Sequence, residues 1–279
     1  MNIIYTQSAL KEQRNELKKK SLQIGFVPTM GALHDGHLQL IKQARKENDI
    51  VVCSIFVNPI QFNNPTDLER YPRNPEKDIE MIKPYCDMLF MPSVEEMYPN
   101  SPEEKYHFGS LETVMEGLHR PGHFNGVAVV VKRFFDVIQP DTAYFGKKDF
   151  QQLAIIRKLV ENYNLNLKIK AVDTVREADG LAMSSRNNLL SHQARSVAPF
   201  IWQTLQQAKS FKKEKNPQEI KAWIEEQFNK NKFFTLEYAE LVNAETLEAV
   251  NEYNQAENIV ACVAVWLDNV RLIDNITIN

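Results

Sequence analysis

Two histidines bracket a glycine in the run Val27-Pro28-Thr29-Met30-Gly31-Ala32-Leu33-His34-Asp35-Gly36-His37, where an apolar segment gives way to a helix-like one. A helix start offers backbone N–H groups and the positive end of a dipole, and Gly36 removes a side chain that would block a bulky anion. Two imidazoles add directed donors. The segment therefore suits nucleotide phosphates and the charge that develops when an α-phosphate is attacked. A metal pair is an alternative for His34 and His37, but no third ligand stands nearby in the chain. For any isolated H-x-x-H, two surface histidines beside a helix cap are the plainer alternative.

Four further segments carry polar groups of matching kinds. Asn58-Pro59-Ile60-Gln61-Phe62 supplies amides suited to a neutral polar group beside a carboxylate, though alone it reads as a proline turn. Phe145-Gly146-Lys147-Lys148-Asp149-Phe150-Gln151-Gln152 sets two lysines after a glycine, as a phosphate clamp would. Asp149 and Gln152 also have capping-box spacing, and Asp149 can accept from ribose or adenine donors while capping. Asp179 to Asn187 (D-G-L-A-M-S-S-R-N) offers hydroxyls and a guanidinium for a triphosphate, although S-S-R-N by itself is a polar turn. Arg120 to Gly126 packs two glycines and a histidine against the apolar run Val127 to Val131.

These segments need elements to hold them. The chain has 279 residues, 43% hydrophobic and 25% charged, which implies one large or two unequal globular domains and excludes disordered or fibrous classes. A net charge of −3 argues against a general nucleic-acid binder or a basic membrane-surface protein, while allowing a local positive pocket. The longest apolar stretches, Ile50 to Val57 and Gly126 to Val131, fall far short of the ~20 residues of a bilayer span. No signal-like segment opens the chain, and Cys53, Cys86 and Cys262 offer neither a disulfide framework nor zinc spacing, so a reduced, cytoplasmic protein is expected. There are nine glycines and none follows Gly180, a shift that concentrates special backbone and chemistry upstream.

Helix is expected over Thr6 to Lys20, strand over Leu22 to Val27 with Pro28 breaking it, helix over Gly36 to Asn48 and strand over Asp49 to Val57. The alternation continues with helix over Pro75 to Pro84, strand over Met88 to Met91, helix over Gly126 to Ile138 and strand over Thr142 to Phe145. A helix over Asp149 to Tyr163 and a strand over Leu167 to Val172 complete it. Buried strands alternating with helices imply an α/β fold with a doubly wound parallel, Rossmann-like sheet, in which ligands sit beyond the strand carboxyl ends. After Arg186 the pattern changes. Helices are expected over His192 to Ser210, begun or kinked at Pro199, and over Pro217 to Asn229. Strands follow over Leu236 to Val242, Ile259 to Leu267 and Val270 to Ile273, the last two joined by a hairpin at Asp268-Asn269. The division is therefore into residues 1–176 and a smaller α+β domain of residues 177–279 that covers the nucleotide site. Lys209, Lys212, Lys213 and Lys215 read as a solvated loop.

In this order the segments resemble the pantoate–β-alanine ligase family, within the wider group of H-x-G-H nucleotidyltransferase-like proteins. The resemblance is dense from about Gly25 to Asn188 (P-T-M-G-A-L-H-D-G-H, V-N-P-I-Q-F, Y-P-R, R-P-G-H-F-N-G-V, F-G-K-K-D-F-Q-Q-L, D-G-L-A-M-S-S-R-N) and weaker to the end. H-x-G-H alone is shared with several adenylyl- and cytidylyltransferases. Its combination with F-G-x-K-D-x-Q-Q and M-S-S-R-N is far more specific. Asn125 departs from the pattern, many relatives carrying a charged residue there, so no role is carried over to it.

The resemblance implies ATP-dependent condensation of (R)-pantoate with β-alanine through pantoyl adenylate, with Mg²⁺ accompanying ATP and a homodimer as the assembly. It implies that Met30, Gly31, Ala32, Leu33, His34, Asp35, Gly36 and His37 line the ATP site, with both histidines on phosphates and His37 as proton donor. Gly146, Lys147, Lys148, Asp149, Val175, Met183, Ser184, Ser185 and Arg186 would complete that site, with Lys148, Ser184 and Arg186 on phosphates. His34 and Lys148 would act beside His37 in catalysis. Gln61 would hold pantoate and later sit beside β-alanine, Gln152 would hold pantoate's other side, and Val127, Val130 and Val131 would wall its geminal methyls. Rival readings are a nucleotidyltransferase that stops after attaching AMP or CMP, and a nucleotide-sensing module without turnover. A class I aminoacyl-tRNA synthetase is disfavoured by chain length and by the lack of a basic RNA-binding region.

Overall fold

The computed structural model describes residues 1–63 and 65–279. The alternating apolar and amphipathic runs fold as strand and helix through Val172. Six strands form one sheet: β1 (Asn2–Ile4), β2 (Ile24–Thr29), β3 (Ile50–Ile55), β4 (Met88–Phe90), β5 (Thr142–Gly146) and β6 (Lys168–Val172). Their order is β1-β4-β3-β2-β5-β6, and every pair is parallel. Between them run α1 (Gln7–Lys19), α2 (Asp35–Glu47), α3 (Pro65–Arg70), α4 (Pro75–Ile82) and α5 (Val94–Met97). They are followed by α6 (Met115–His119), α7 (His123–Ile138) and α8 (Phe150–Asn162).

Both faces of the sheet are covered, which is why its strands read as continuous apolar runs. Phe26 packs with Leu10, Phe134 and Ile156 on one side, while its neighbour Val27 packs with Ile41, Ala44 and Ile82 on the other. From β2 the chain works outward through β3 and β4, then returns to lay β5 on the opposite flank of β2. The carboxyl ends of β2 and β5 thus form a topological switch point, where such sheets open a crevice.

Pro28 does not end its strand. β2 pairs with β3 through Thr29, and the alternation of ladder bonds turns the Pro28 nitrogen toward β5, where pairing has already stopped at Phe26. The missing N–H therefore costs no ladder bond. α7 starts three residues earlier than its apolar run suggests, because Gly122 (φ +82) turns the chain into the helix. Gly126 lies inside that helix and marks a close approach. A Cβ there would stand 2.5 Å from the Ile60 carbonyl oxygen and 2.7 Å from Gln61 Cα. The three-residue strand β1 is too short for its pattern to be recognised, and its place at the sheet edge comes from pairing with β4.

Beyond β6 come α9 (His192–Val197), α10 (Phe200–Ser210) and α11 (Pro217–Lys230), with Pro199 separating the first two as expected. β7 (Phe234–Asn243), β8 (Ile259–Leu267) and β9 (Val270–Thr277) form an antiparallel sheet in the order β7-β8-β9. The β8–β9 hairpin turns through Asp268 (φ 51) and Asn269 (φ 60), the left-handed pair a two-residue turn requires. Period-two alternation divides this sheet: Ala261 and Val263 pack with Leu205 and Ile224, while Val260 and Cys262 join the core of the large sheet. The fold is a doubly wound parallel sheet followed by a small α+β part.

Candidate active site

A cleft of about 790 Å³ opens at the switch point, its walls drawn from both sheets. His34 stands at the N-cap of α2 and His37 in its first turn. The Gly36 N–H donates to His34 Nδ1 at 3.1 Å, and the His34 N–H reaches His37 Nδ1 at 3.4 Å, a reciprocal cap made of two imidazoles. Gly36 permits this fold-back, since a Cβ there would meet His34 Cε1 at 2.8 Å. The rings lie 4.1 Å apart, half-buried in the cleft wall. With both Nδ1 atoms accepting from backbone, the neutral rings carry their protons on Nε2. This revises the expected helix-start site in one respect: two of its N–H groups are already satisfied by the rings, so the rings themselves are the donors offered to a ligand.

Burial and the nearby Lys148 ammonium lower the His34 pKa to about 4. Burial, His34 and Lys148 lower that of His37 to about 3. His123, buried beside Arg120, is lowered to about 4 by the same two kinds of effect. All three are neutral at pH 7, whereas unfolded histidine titrates near 6.5. Between those values only the unfolded chain takes up the protons, so stability falls as pH drops below about 6.5. The loss approaches roughly 1.4 kcal/mol per pH unit for a fully buried group such as His123. Melting temperatures across pH 7.5 to 5 should decline accordingly, and a midpoint independent of pH would contradict these three shifts.

The loop after β5 divides two adjacent lysines. Lys148 is half-buried and lines the cleft, with Nζ 3.8 Å from Asp149 Oδ1. Lys147 is exposed and pairs with Asp173 at 2.6 Å; Asp173 borders the cleft, but Lys147 itself is not among the lining residues. Asp149 occupies the N-cap of α8 without a side-chain cap bond, and the expected capping box with Gln152 does not form. The Asp149 carboxylate therefore faces the cleft. Asn275 of β9 donates to the carbonyls of Lys147 and Lys148, which fastens this loop to the C-terminal sheet.

Gln151 and Gln152 both border the cleft. The Gln151 amide is buried and bonded to Leu111, Val114 and Glu116, so the amide offered to a ligand is that of Gln152. Across from it, Gln61 donates to Met30 Sδ at 2.9 Å and accepts from Asn58 at 3.1 Å. Both amides border the cleft, but Asn58 is buried and held on structure, also donating to the Gly126 carbonyl and accepting from Tyr98 Oη. Val127, Val130 and Val131, on one side of α7, supply the apolar wall.

Met183, Ser184, Ser185, Arg186 and Val175 also border the cleft. Ser184 caps a short 3-10 turn over Ser185–Leu189, and Arg186 on that turn forms a two-pronged ion pair with Asp67 of α3 at 2.9 Å. Gly31, Ala32, Leu33 and Asp35 lie outside the wall. Their loop is held from behind by Asp78, whose carboxylate accepts the Ala32 and Leu33 N–H groups at 2.8 Å each. Asp78 and Asp67 were not singled out from sequence. For Asp78 a signal exists, because it shares the inward stripe of α4 with Ile82, where a carboxylate needs a partner. For Asp67 none exists, since its partner lies 119 positions away. Among the described residues no cluster of three metal-binding side chains occurs, and no helix is long and apolar enough to cross a membrane. Asn125 faces elsewhere, bonding to Tyr106 and Glu104.

The family model for pantoate-beta-alanine ligase matches residues 2–277. A pantothenate synthetase of Cytophaga hutchinsonii is 48% identical over 94% of this chain and 94% of its own. One from Christiangramia forsetii is 46% identical over the whole of both chains. The crystal structure of pantothenate synthetase from Thermus thermophilus superposes with a TM-score of 0.92 at 40% identity, covering 99% of each chain. A Francisella tularensis pantoate-beta-alanine ligase complexed with beta-gamma ATP and beta-alanine superposes at 0.84 with 36% identity, over 99% of this chain and 97% of that one.

Proposed function

The chain belongs to the pantoate–β-alanine ligase family, and from that premise we propose how its residues divide the condensation of (R)-pantoate with β-alanine and ATP into pantothenate, AMP and pyrophosphate. One observation supports the assignment above the others. The imidazoles of His34 and His37 and the Lys148 ammonium share one end of a cleft whose other walls hold Gln61, Gln152 and the Val127–Val131 face.

In the first step the pantoate carboxylate attacks the α-phosphorus and pyrophosphate leaves. In the second, the β-alanine amine attacks the acyl carbon of pantoyl adenylate and AMP leaves. No side-chain nucleophile is required. Charge must be neutralised on the departing pyrophosphate, and water must be kept from the mixed anhydride. The Nε2–H groups of His34 and His37, with Lys148 and Ser184, suit the first task. Arg186 would join them by exchanging Asp67 for phosphate oxygens. A bound polyphosphate would raise both histidine pKa values, and His37 is then the better placed to hand a proton to the leaving group. Gln61 and Gln152 orient pantoate between them, against valines that exclude water, and Gln61 later stands beside β-alanine.

Mg²⁺ would travel with the triphosphate, whose oxygens and waters can supply most of its ligands; Asp149 is the carboxylate within the cleft suited to add one. The protein is read as a cytoplasmic homodimer, checked by its mass in solution. The division at residue 177 follows the end of the parallel sheet, with the smaller part covering the nucleotide.

Mass spectrometry of the purified chain incubated with ATP, pantoate and β-alanine should find pantothenate and AMP in equal amounts. Pyrophosphate without amide would favour a nucleotidyltransferase, and unchanged ATP a binding module. Gln61→Ala should raise the pantoate KM about tenfold or more while sparing ATP, the scale for losing an orienting hydrogen bond to a charged group. The reverse pattern would exchange the two ends of the cleft. Lys148→Ala should cut kcat/KM for ATP by about 10²; unaltered ATP kinetics would return it to the solvated surface.

A further inference from the structure

The pocket wall that carries Gln61 is tied to the C-terminal sheet by a chain of polar contacts, most of them partly buried, that runs along the cleft. Glu116, at the start of α6, accepts from Arg271 Nη2 and Nη1 at 2.7 and 2.8 Å and from Tyr238 Oη at 2.8 Å. Arg271 belongs to β9 and Tyr238 to β7. The remaining Arg271 donors reach Glu237 of β7, which also accepts from Trp266 of β8 at 2.9 Å. In the other direction, Arg120 Nη1 lies 3.5 Å from Glu116 Oε2 and 3.2 Å from His123 Nε2. His123 Nδ1 lies 2.8 Å from the Gln61 carbonyl oxygen. A carbonyl only accepts, so Nδ1 holds the proton and Nε2 accepts from Arg120. Both ends of this ring are thereby fixed.

We infer that Glu116 and Arg271 are positioning residues for the pantoate pocket, holding Arg120 against His123 so that His123 fixes the Pro59–Gln61 turn and the aim of the Gln61 amide. The inference rests on the reading of Gln61 as a pantoate contact. Its physical basis is that a largely desolvated network of matched charges has few alternative arrangements, so removing one member releases the rest. Arg271 and Glu237 belong to the C-terminal sheet while Gln61 follows β3. Acid capture in the large sheet therefore depends on how the small sheet is seated.

The test uses the full chain with Glu116→Gln and Arg271→Lys, which keep side-chain size or charge. The pantoate KM should rise about tenfold in each, with the ATP KM within about twofold, as for a misaimed substrate contact. Nitrogen NMR of His123 should show the Nδ1–H form in the parent and a mixture of both tautomers in the variants. In a Gln61→Ala background, Glu116→Gln should add no further loss in pantoate KM. Should either network variant fail to fold, Arg120→Lys answers instead, since it disturbs the contacts of Arg120 with His123 and Glu116 while leaving the Glu116–Arg271 pair in place, and should reproduce the same KM pattern and tautomer change. Folded variants that keep both the His123 tautomer and the pantoate KM would overturn the inference, as would pantoate and ATP constants worsening together. A Gln61→Ala protein with an unchanged pantoate KM would instead remove the reading of Gln61 itself.

Discussion

His37→Ala is expected to slow pantoyl-adenylate formation by about 10² or more, the scale for removing one preorganised stabiliser of developing charge. The ring does two things that alanine cannot. Its Nδ1 accepts the His34 N–H and so holds the first turn of α2, and its Nε2 carries a proton toward the cleft. With a pKa of about 3 in the free protein, the ring enters the reaction neutral, so its first contribution is a hydrogen bond and not a full charge. His37→Asn separates the two parts, since its carbonyl can still accept from the backbone while the ring nitrogen is lost. Single-turnover pyrophosphate release is the measurement. Release at near-normal rates in His37→Ala would remove His37 from the chemistry, and recovery in His37→Asn would reduce its role to capping.

Asp78→Ala is the other large effect, and it falls first on stability. Asp78 is only 2% exposed, and its two oxygens satisfy two backbone N–H groups in the loop before α2. Truncation leaves both donors without partners, at about 1–3 kcal/mol each, and opens a void behind the loop. A loss of roughly 2–5 kcal/mol in denaturant unfolding is expected. Variants that remain folded should show weakened ATP use, because His34 follows directly from Leu33. Asp78→Asn retains one acceptor and should recover part of the stability. A stable Asp78→Ala protein with parental ATP kinetics would mean the loop is held by the β2 strand alone.

Most of the large sheet was legible because its signals are local. Ile50 to Ile55 is apolar on both faces, and such a run in a chain of alternating helices has few places other than a covered parallel strand. The same holds for α1, capped by Thr6, and for the β8–β9 hairpin at Asp268-Asn269. Errors arose where a local rule met a distant neighbour. Pro28 reads as a breaker until the pairing of its strand shows that its nitrogen needs no partner there. Gly126 reads as a helix start until the Ile60 backbone is found against it.

Residue type and order were enough to identify the segments that meet at the switch point, since histidines and lysines of the kind that suit phosphates follow strands at positions that local patterning reveals. Residue type and spacing do not separate Lys147 from Lys148 or Gln151 from Gln152; the family resemblance singled out Lys148 and Gln152. Partners elsewhere in the chain fix the other members, Lys147 on Asp173 and the Gln151 amide on Leu111. The Asp67–Arg186 pair and the Glu116–Arg271 network likewise exist only once separate elements are packed together, because a buried charge is stabilised by whatever the fold brings beside it.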